Sequence, residues 1–195
     1  MYLHNSAESQ MPIIGEKMYY EKLAKAFEVF EKAVQDNKIR SYGLASWICF
    51  RSPIDEEDIH TSIMRVQEIA KQVAGENHNF KYIQAPINLM MVEAMGEKWQ
   101  PVDSELHHAD RLAALEKQGA GMLKKMMLGK PTLGGVEFES LLRVLRIYKI
   151  NLMVSAPLLQ GMMLNTNLTD LFCENNSARH INFIRSIPAD CITSI

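Results

Sequence analysis

The chain has 195 residues, 47% of them hydrophobic and 23% charged, with a formal net charge of −2. Those proportions suit one globular domain with a real core, and the acidic balance argues against nucleic acid or an anionic membrane as the main partner, since either selects a basic face. No apolar run approaches the ~20 residues a helix needs to cross a bilayer. Met1–Asn5 carries neither a charged leader nor a long apolar segment, so the expected compartment is the cytoplasm. Three cysteines, Cys49, Cys173 and Cys191, stand far apart without a Cys-x-x-Cys pair, which predicts reduced thiols rather than a disulfide framework.

In chain order, Tyr2-Leu3-His4-Asn5 reads as a short strand, and residues 8–15, with Pro12 and Gly15, read as a turn. From Lys17 to Asn37 the apolar residues Leu23, Phe27, Phe30 and Val34 fall at helical spacing, which predicts one amphipathic helix. An apolar strand follows over Ser41–Ser46. Pro53 and Asp55 mark the next helix start, with Asp55, Glu56, Glu57 and Asp58 as first-turn acids favourable to the helix dipole. Ile59, Ile63, Val66, Ala70 and Val73 form its buried face, and Gly75 ends it. A strand is predicted over Phe80–Ile87, closed by Pro86.

Residues 90–135 are too long for an ordinary strand-to-helix loop of roughly 2–6 residues. They are expected to form an insertion over the mouth of the sheet, with a helix around Leu106, Ala109, Leu112, Ala113 and Leu115 and a short one around Met122–Met127. Phe138, Leu141, Leu142, Leu145 and Tyr148 make another helical face, then a strand runs from Ile150 to Ser155. Ser177 caps a last helix that Pro188 stops, before a strand over Cys191–Ile195. Helices alternating with short buried strands predict a parallel sheet covered by helices, an α/β fold.

In such folds chemistry collects at the C-terminal ends of the strands. His4 ends the first strand, either as a packed or solvated imidazole or as a substrate contact. Gln84 ends a later one, where a ligand carboxamide would match its donor and acceptor. Ser155 to Gly161 can turn backbone N–H groups toward a phosphate, with Gly161 permitting close approach. Other patterns fail. Gly129-Lys130 lacks the upstream glycine of a phosphate loop, and Pro131 stands where Ser or Thr is required. His107-His108 beside Glu105 and Asp110 reads as a solvated helix face rather than a metal site, because adjacent helical residues point apart. Met122, Met126 and Met127 read as core or interface filler.

Taken together, these segments resemble the aldo-keto reductase family over nearly the whole chain except residues 95–135. Tyr2-Leu3-His4-Asn5 is similar to that family's fourth-strand motif, and Lys38-Ile39-Arg40-Ser41-Tyr42-Gly43 to the lead into its fifth strand. Ala45-Ser46-Trp47 resembles the fifth-strand loop, Ile83-Gln84 the sixth-strand motif, and Ser155-Ala156-Pro157-Leu158-Leu159-Gln160-Gly161 the seventh-strand loop.

The resemblance implies a partial TIM (β/α)8 barrel spanning about strands 4 to 8, with outer helices and one helical insertion. It implies a single domain over 1–195 that is incomplete at both ends. It implies binding of NADPH or NADH and reduction of a small aldehyde or ketone. In that scheme His4 orients the carbonyl, Ser46 and Gln84 hold the nicotinamide carboxamide, and Ser155, Ala156, Pro157, Leu158, Gln160 and Gly161 hold the ribose and pyrophosphate; no metal is implied. The chain also departs from the family: Ala45 replaces a serine, Ser46 an asparagine or arginine, and Ser155 a stacking aromatic. The family's catalytic Asp, Tyr and Lys have no counterpart in this chain. The alternative expectation is a catalytically inactive half-barrel, a structural or interaction subunit whose open edges are covered by a protein partner or a second copy.

Overall fold

The structure is a computed structural model and describes residues 1–54, 59–88, 90–119, 121, 128–132 and 134–158. Its centre is a four-stranded parallel sheet of β1 (Tyr2–His4), β2 (Tyr42–Ala45), β3 (Phe80–Pro86) and β6 (Asn151–Ser155), in the order β1-β2-β3-β6. The four segments expected to be strands therefore lie side by side, each next to its predecessor.

Two helices precede β2. Residues expected to form a turn are instead α1 (Ser6–Ile14), and α2 (Glu16–Gln35) follows at once. Gly15 marks the break between them: its φ of 77° lies in the left-handed region that a side chain resists. Pro12 sits inside α1 rather than ending it, and α1 holds because Ala7 and Met11 are anchored in the core. The periodic face of α2 behaves as expected: Leu23, Phe27 and Phe30 are buried and Val34 half-buried. Phe27 lies with its ring 4.9 Å from Tyr42 and 5.3 Å from Phe80, and Phe30 lies 5.2 Å from Tyr42. This aromatic layer joins α2 to the sheet.

Beneath it, Tyr42 Oη donates to Glu31 at 2.8 Å, while Asn79 donates to the same carboxylate from its backbone (2.6 Å) and side chain (2.8 Å). Burial pushes the Glu31 carboxyl up, but the bonds from Asn79 and Tyr42 outweigh it and hold the group below its ordinary value.

The next helix, α3 (Ile63–Ala74), starts later than Pro53 and Asp55 suggest. Ser62 is its cap, accepting from Arg65 N at 3.2 Å. Residues 55–58 lie outside the described set, and a helix starting at Ile63 has no first turn there. Ile63, Val66 and Ala70 are buried; Ile59 and Val73 are half-buried against the core.

The long segment after β3 contains α4 (Glu93–Gly96), β4 (Gln100–Asp103), α5 (Ser104–Lys117) and β5 (Val136–Glu139), with β4 and β5 antiparallel. The two strands were not legible in the sequence, and they extend the unit past residue 135. Phe138 accordingly belongs to β5 rather than to the helix that follows, α6 (Leu141–Ile147). Helix α5 exists as expected, but its buried side carries Ser104 and His107, while Leu106, Ala109 and Ala113 are exposed. His107 is thus not on a solvated face. It is 4% exposed, with Nε2 at 3.0 Å from Glu139 in hydrogen-bond geometry and Nδ1 in close contact, 2.6 Å, with Glu137.

Two contacts seat this unit against the loop leaving the C-terminal end of β2. Gln100 Oε1 accepts from Ile63 N at 2.9 Å, and its Nε2 donates to the carbonyls of Phe50 and Thr61, both at 3.1 Å. Arg51, its side chain 7% exposed, pairs with Glu93 at 2.8 Å. Among the described residues no helix is long and apolar enough to cross a membrane, and no group of three His, Cys, Asp or Glu is placed to hold a metal. The predicted residue 122–127 helix, the residue 177–188 helix and the residue 191–195 strand lie outside the described residues.

Candidate functional site

Side chains alternate across a strand, so the sheet has two unlike faces. Tyr42, Leu44, Ile83 and Ala85 join the core under the helices, and so does Phe80, because the β2–β3 register slips by one residue between Tyr42 and Gly43. The opposite face carries Tyr2 and His4, Gly43 and Ala45, Tyr82, Gln84 and Pro86, and Asn151, Met153 and Ser155. Register sorts these into rows: Tyr2, Gly43, Tyr82 and Asn151 are successive neighbours, and so are His4, Ala45, Gln84 and Met153. Pro86 pairs with Ser155 one row further toward the strand ends. With strands about 4.8 Å apart, each row spans about 14 Å.

His4 is exposed, Met153 is 50% exposed and Gln84 is half-buried. Among the described residues the Gln84 carboxamide makes no hydrogen bond, while its backbone carbonyl accepts from Ser46 N at 3.0 Å. His4 and Gln84 thus lie in one register row, two strands apart, at the same end of the sheet. Gly43 has a packing reason to be glycine: a β-carbon there would overlap the carbonyl of Tyr82.

Ser46 is placed differently. Its hydroxyl donates to Glu8 Oε1 at 2.5 Å and accepts from Cys49 N at 2.9 Å. The same Glu8 oxygen accepts from the successive backbone N–H groups of Trp47 (2.7 Å) and Ile48 (3.0 Å). Burial pushes the Glu8 carboxyl up, but the Ser46, Ile48 and Trp47 bonds outweigh it and the group stays below its ordinary value, so it is a carboxylate. Cys49 lies beside it; burial, then the Glu8 charge, push its thiol up to about 12, which leaves it inert at neutral pH.

At the end of β6, Ser155 and Ala156 are half-buried and Pro157 and Leu158 exposed; Ala156 has a φ of 51°. Asn88 holds this turn, donating from Nδ2 to the Ala156 carbonyl at 3.1 Å and accepting from Met90 N at 2.9 Å. Gln160 and Gly161 lie outside the described residues.

Tyr2, Tyr82, Met153, Glu8 and Asn88 escape the motif reading. Tyr2 and Tyr82 stand two residues before His4 and Gln84, so period-two alternation alone would have placed them on the same face. Their rings meet edge-on with centroids 6.5 Å apart. Burial, then the neighbouring Tyr82, push the Tyr2 phenol up. Nothing in the local pattern marks Glu8 or Asn88.

Comparison with known proteins returns nothing: no family model, curated protein or solved structure matches the chain. The functional reading rests on the site itself.

Proposed function

We propose that this chain is an aldo-keto-reductase-type domain whose open sheet face receives the nicotinamide end of NADPH or NADH and a small carbonyl compound. One observation supports the reading above the others: the row His4, Ala45, Gln84, Met153 at the C-terminal end of a parallel sheet whose strands follow sequence order. Sequential parallel strands with helices on one face accord with part of a (β/α)8 barrel, whose chemistry gathers at that end.

When bound, the nicotinamide would provide hydride chemistry at the carbonyl carbon. The chain's own residues bind and orient. Gln84 offers one donor and one acceptor to a carboxamide, His4 stands two strands away to align a carbonyl oxygen, and the turn at Ser155–Leu158, with Gln160 and Gly161, takes the ribose and phosphates. Ser46 fits less well, since Glu8 already holds its proton. Among the described residues the open-face tyrosines, Tyr2 and Tyr82, lie one row back from His4, and the raised Tyr2 phenol is tuned away from proton donation near neutral pH. The domain is accordingly a binder with little turnover by itself.

The test is a fluorescence titration of the purified chain with NADPH. Saturable binding is expected, and losing the carboxamide pair in Gln84→Leu weakens it about tenfold, the effect of one to two ordinary hydrogen bonds. His4→Ala leaves that affinity unchanged and lowers any aldehyde reduction. Absence of saturable binding overturns the cofactor reading.

A second reading, the interaction subunit, is favoured by the sheet edges. Among the described residues β1 pairs only with β2 and β6 only with β3, and Met153, Val154 and Leu158 are 50%, 48% and 47% exposed. Such edges recruit further strands. Light scattering that shows a monomer across the micromolar range, with no NADPH binding, leaves neither reading standing.

A further inference from the structure

The Glu8 contact has the form of a ligand complex inside one chain. Successive backbone N–H groups pointing at one centre form a nest, a concavity that binds anions. Trp47 N and Ile48 N make such a nest, and Ser46 Oγ adds a third donor, all on the single oxygen Glu8 Oε1. The turn sits at the C-terminal end of β2, on the side of a parallel sheet where ligands bind. Its rim is open: Trp47 and Ile48 are each 40% exposed. The anion comes from a different element, about forty residues earlier in the chain, so it fills the nest without being part of the turn.

The fit is also incomplete. Among the described residues Glu8 Oε2 and Asn5 Oδ1, at the start of the same helix, are buried without a geometric hydrogen-bond partner, although the Glu8 carboxylate also draws on its own backbone N–H and the neighbouring Cys49 thiol. A buried charged oxygen short of good partners is costly. A ligand oxyanion making the same three bonds, with its remaining oxygens in solvent, escapes that penalty.

We infer that Ser46, Trp47 and Ile48 form an oxyanion site for a carboxylate- or phosphate-bearing ligand, closed by Glu8 until the ligand displaces it. The inference does not depend on dinucleotide binding, although it uses Ser46. An internal competitor lowers apparent affinity by the fraction of molecules in which the site is free, so removing Glu8 unmasks the site.

The experiment follows the backbone amide resonances of Trp47 and Ile48 while sodium formate or inorganic phosphate is added, with sodium chloride at matched ionic strength as control. In Glu8→Ala both amides shift saturably and the melting temperature rises with the anion. In the wild type the same shifts need at least about tenfold more anion. A response to formate alone identifies a small carboxylate as the ligand class, and a stronger response to phosphate identifies a phosphate-bearing one. If Glu8→Ala does not fold, Glu8→Gln, which keeps an acceptor oxygen and loses the charge, is expected to bind with intermediate affinity. The proposal is overturned if a folded variant shows no saturable shift beyond the chloride control, or if variant and wild type respond alike.

Discussion

Replacing Gln100 by leucine isolates the contact that fastens the β4–β5 unit to the rest of the domain. Gln100 is 1% exposed, and its carboxamide satisfies three backbone groups from two other segments. One is the N–H of Ile63, among the four at the start of α3 that no helical carbonyl can reach. Gln100→Leu keeps most of the volume and orphans all three groups. Each buried orphan costs about 1–3 kcal/mol, the carbonyls at the lower end because they find water more readily. Greater apolar burial returns about 1–2 kcal/mol. The expected net loss is roughly 2–5 kcal/mol, a large share of the ~5–15 kcal/mol that stabilises a typical domain. In a chain of this size that corresponds to a fall in melting temperature of roughly 5–20 °C.

Urea unfolding followed by circular dichroism measures the loss. Gln100→Glu is expected to be worse than the leucine variant, because it retains the acceptor for Ile63 but sets a carboxylate against the carbonyls of Phe50 and Thr61. A loss below about 1 kcal/mol in Gln100→Leu, the scale of one ordinary hydrogen bond, would refute the view that this amide secures the unit.

Tyr42→Phe removes one of the three donors on Glu31 and is expected to lower stability by about 1–2 kcal/mol; an unchanged urea midpoint counts against it. Gly43→Ala forces β2 away from the carbonyl of Tyr82, at a cost of about 1–3 kcal/mol; a melting temperature equal to wild type would show that the strands part freely. Burial holds His60 and His78 below the ordinary histidine value of 6.5, with Lys81 also lowering His78. The unfolded chain then binds more protons as pH falls, so stability present at neutral pH is lost on acidification through 6.5 toward the folded values. The urea midpoint should drop between about pH 7.5 and 5.5, less steeply in His60→Asn; identical slopes would remove His60 from the account.

Much of the architecture was readable from spacing. The apolar rhythm of Leu23, Phe27 and Phe30 and of Ile63, Val66 and Ala70 announced two helices, and four short apolar runs announced the strands, because both periods are set by neighbours a few residues away. Local markers failed where tertiary contacts outvoted them. Pro12 and Gly15 look like a turn, yet burial of Ala7 and Met11 makes the segment helical. Phe138 fits a helical face by spacing, yet pairing with Pro101 puts it in a strand. His107 looked like half of a solvated pair and is buried between two glutamates.

By itself, then, the sequence determined the helices α2 and α3 and the four strands of the parallel sheet, since 3.6- and 2-residue periods are properties of the backbone; α1, β4 and β5 it left open. Only the tertiary structure decided that His4 and Gln84 fall in one row, that Glu8 occupies the donors of Ser46, Trp47 and Ile48, and that Gln100 bridges three segments. The Glu8 and Gln100 contacts join residues some 37 to 50 positions apart. Any of many polar side chains would have suited each contact, and the register of distant strands, fixed by hydrogen bonds between them, chose which ones meet.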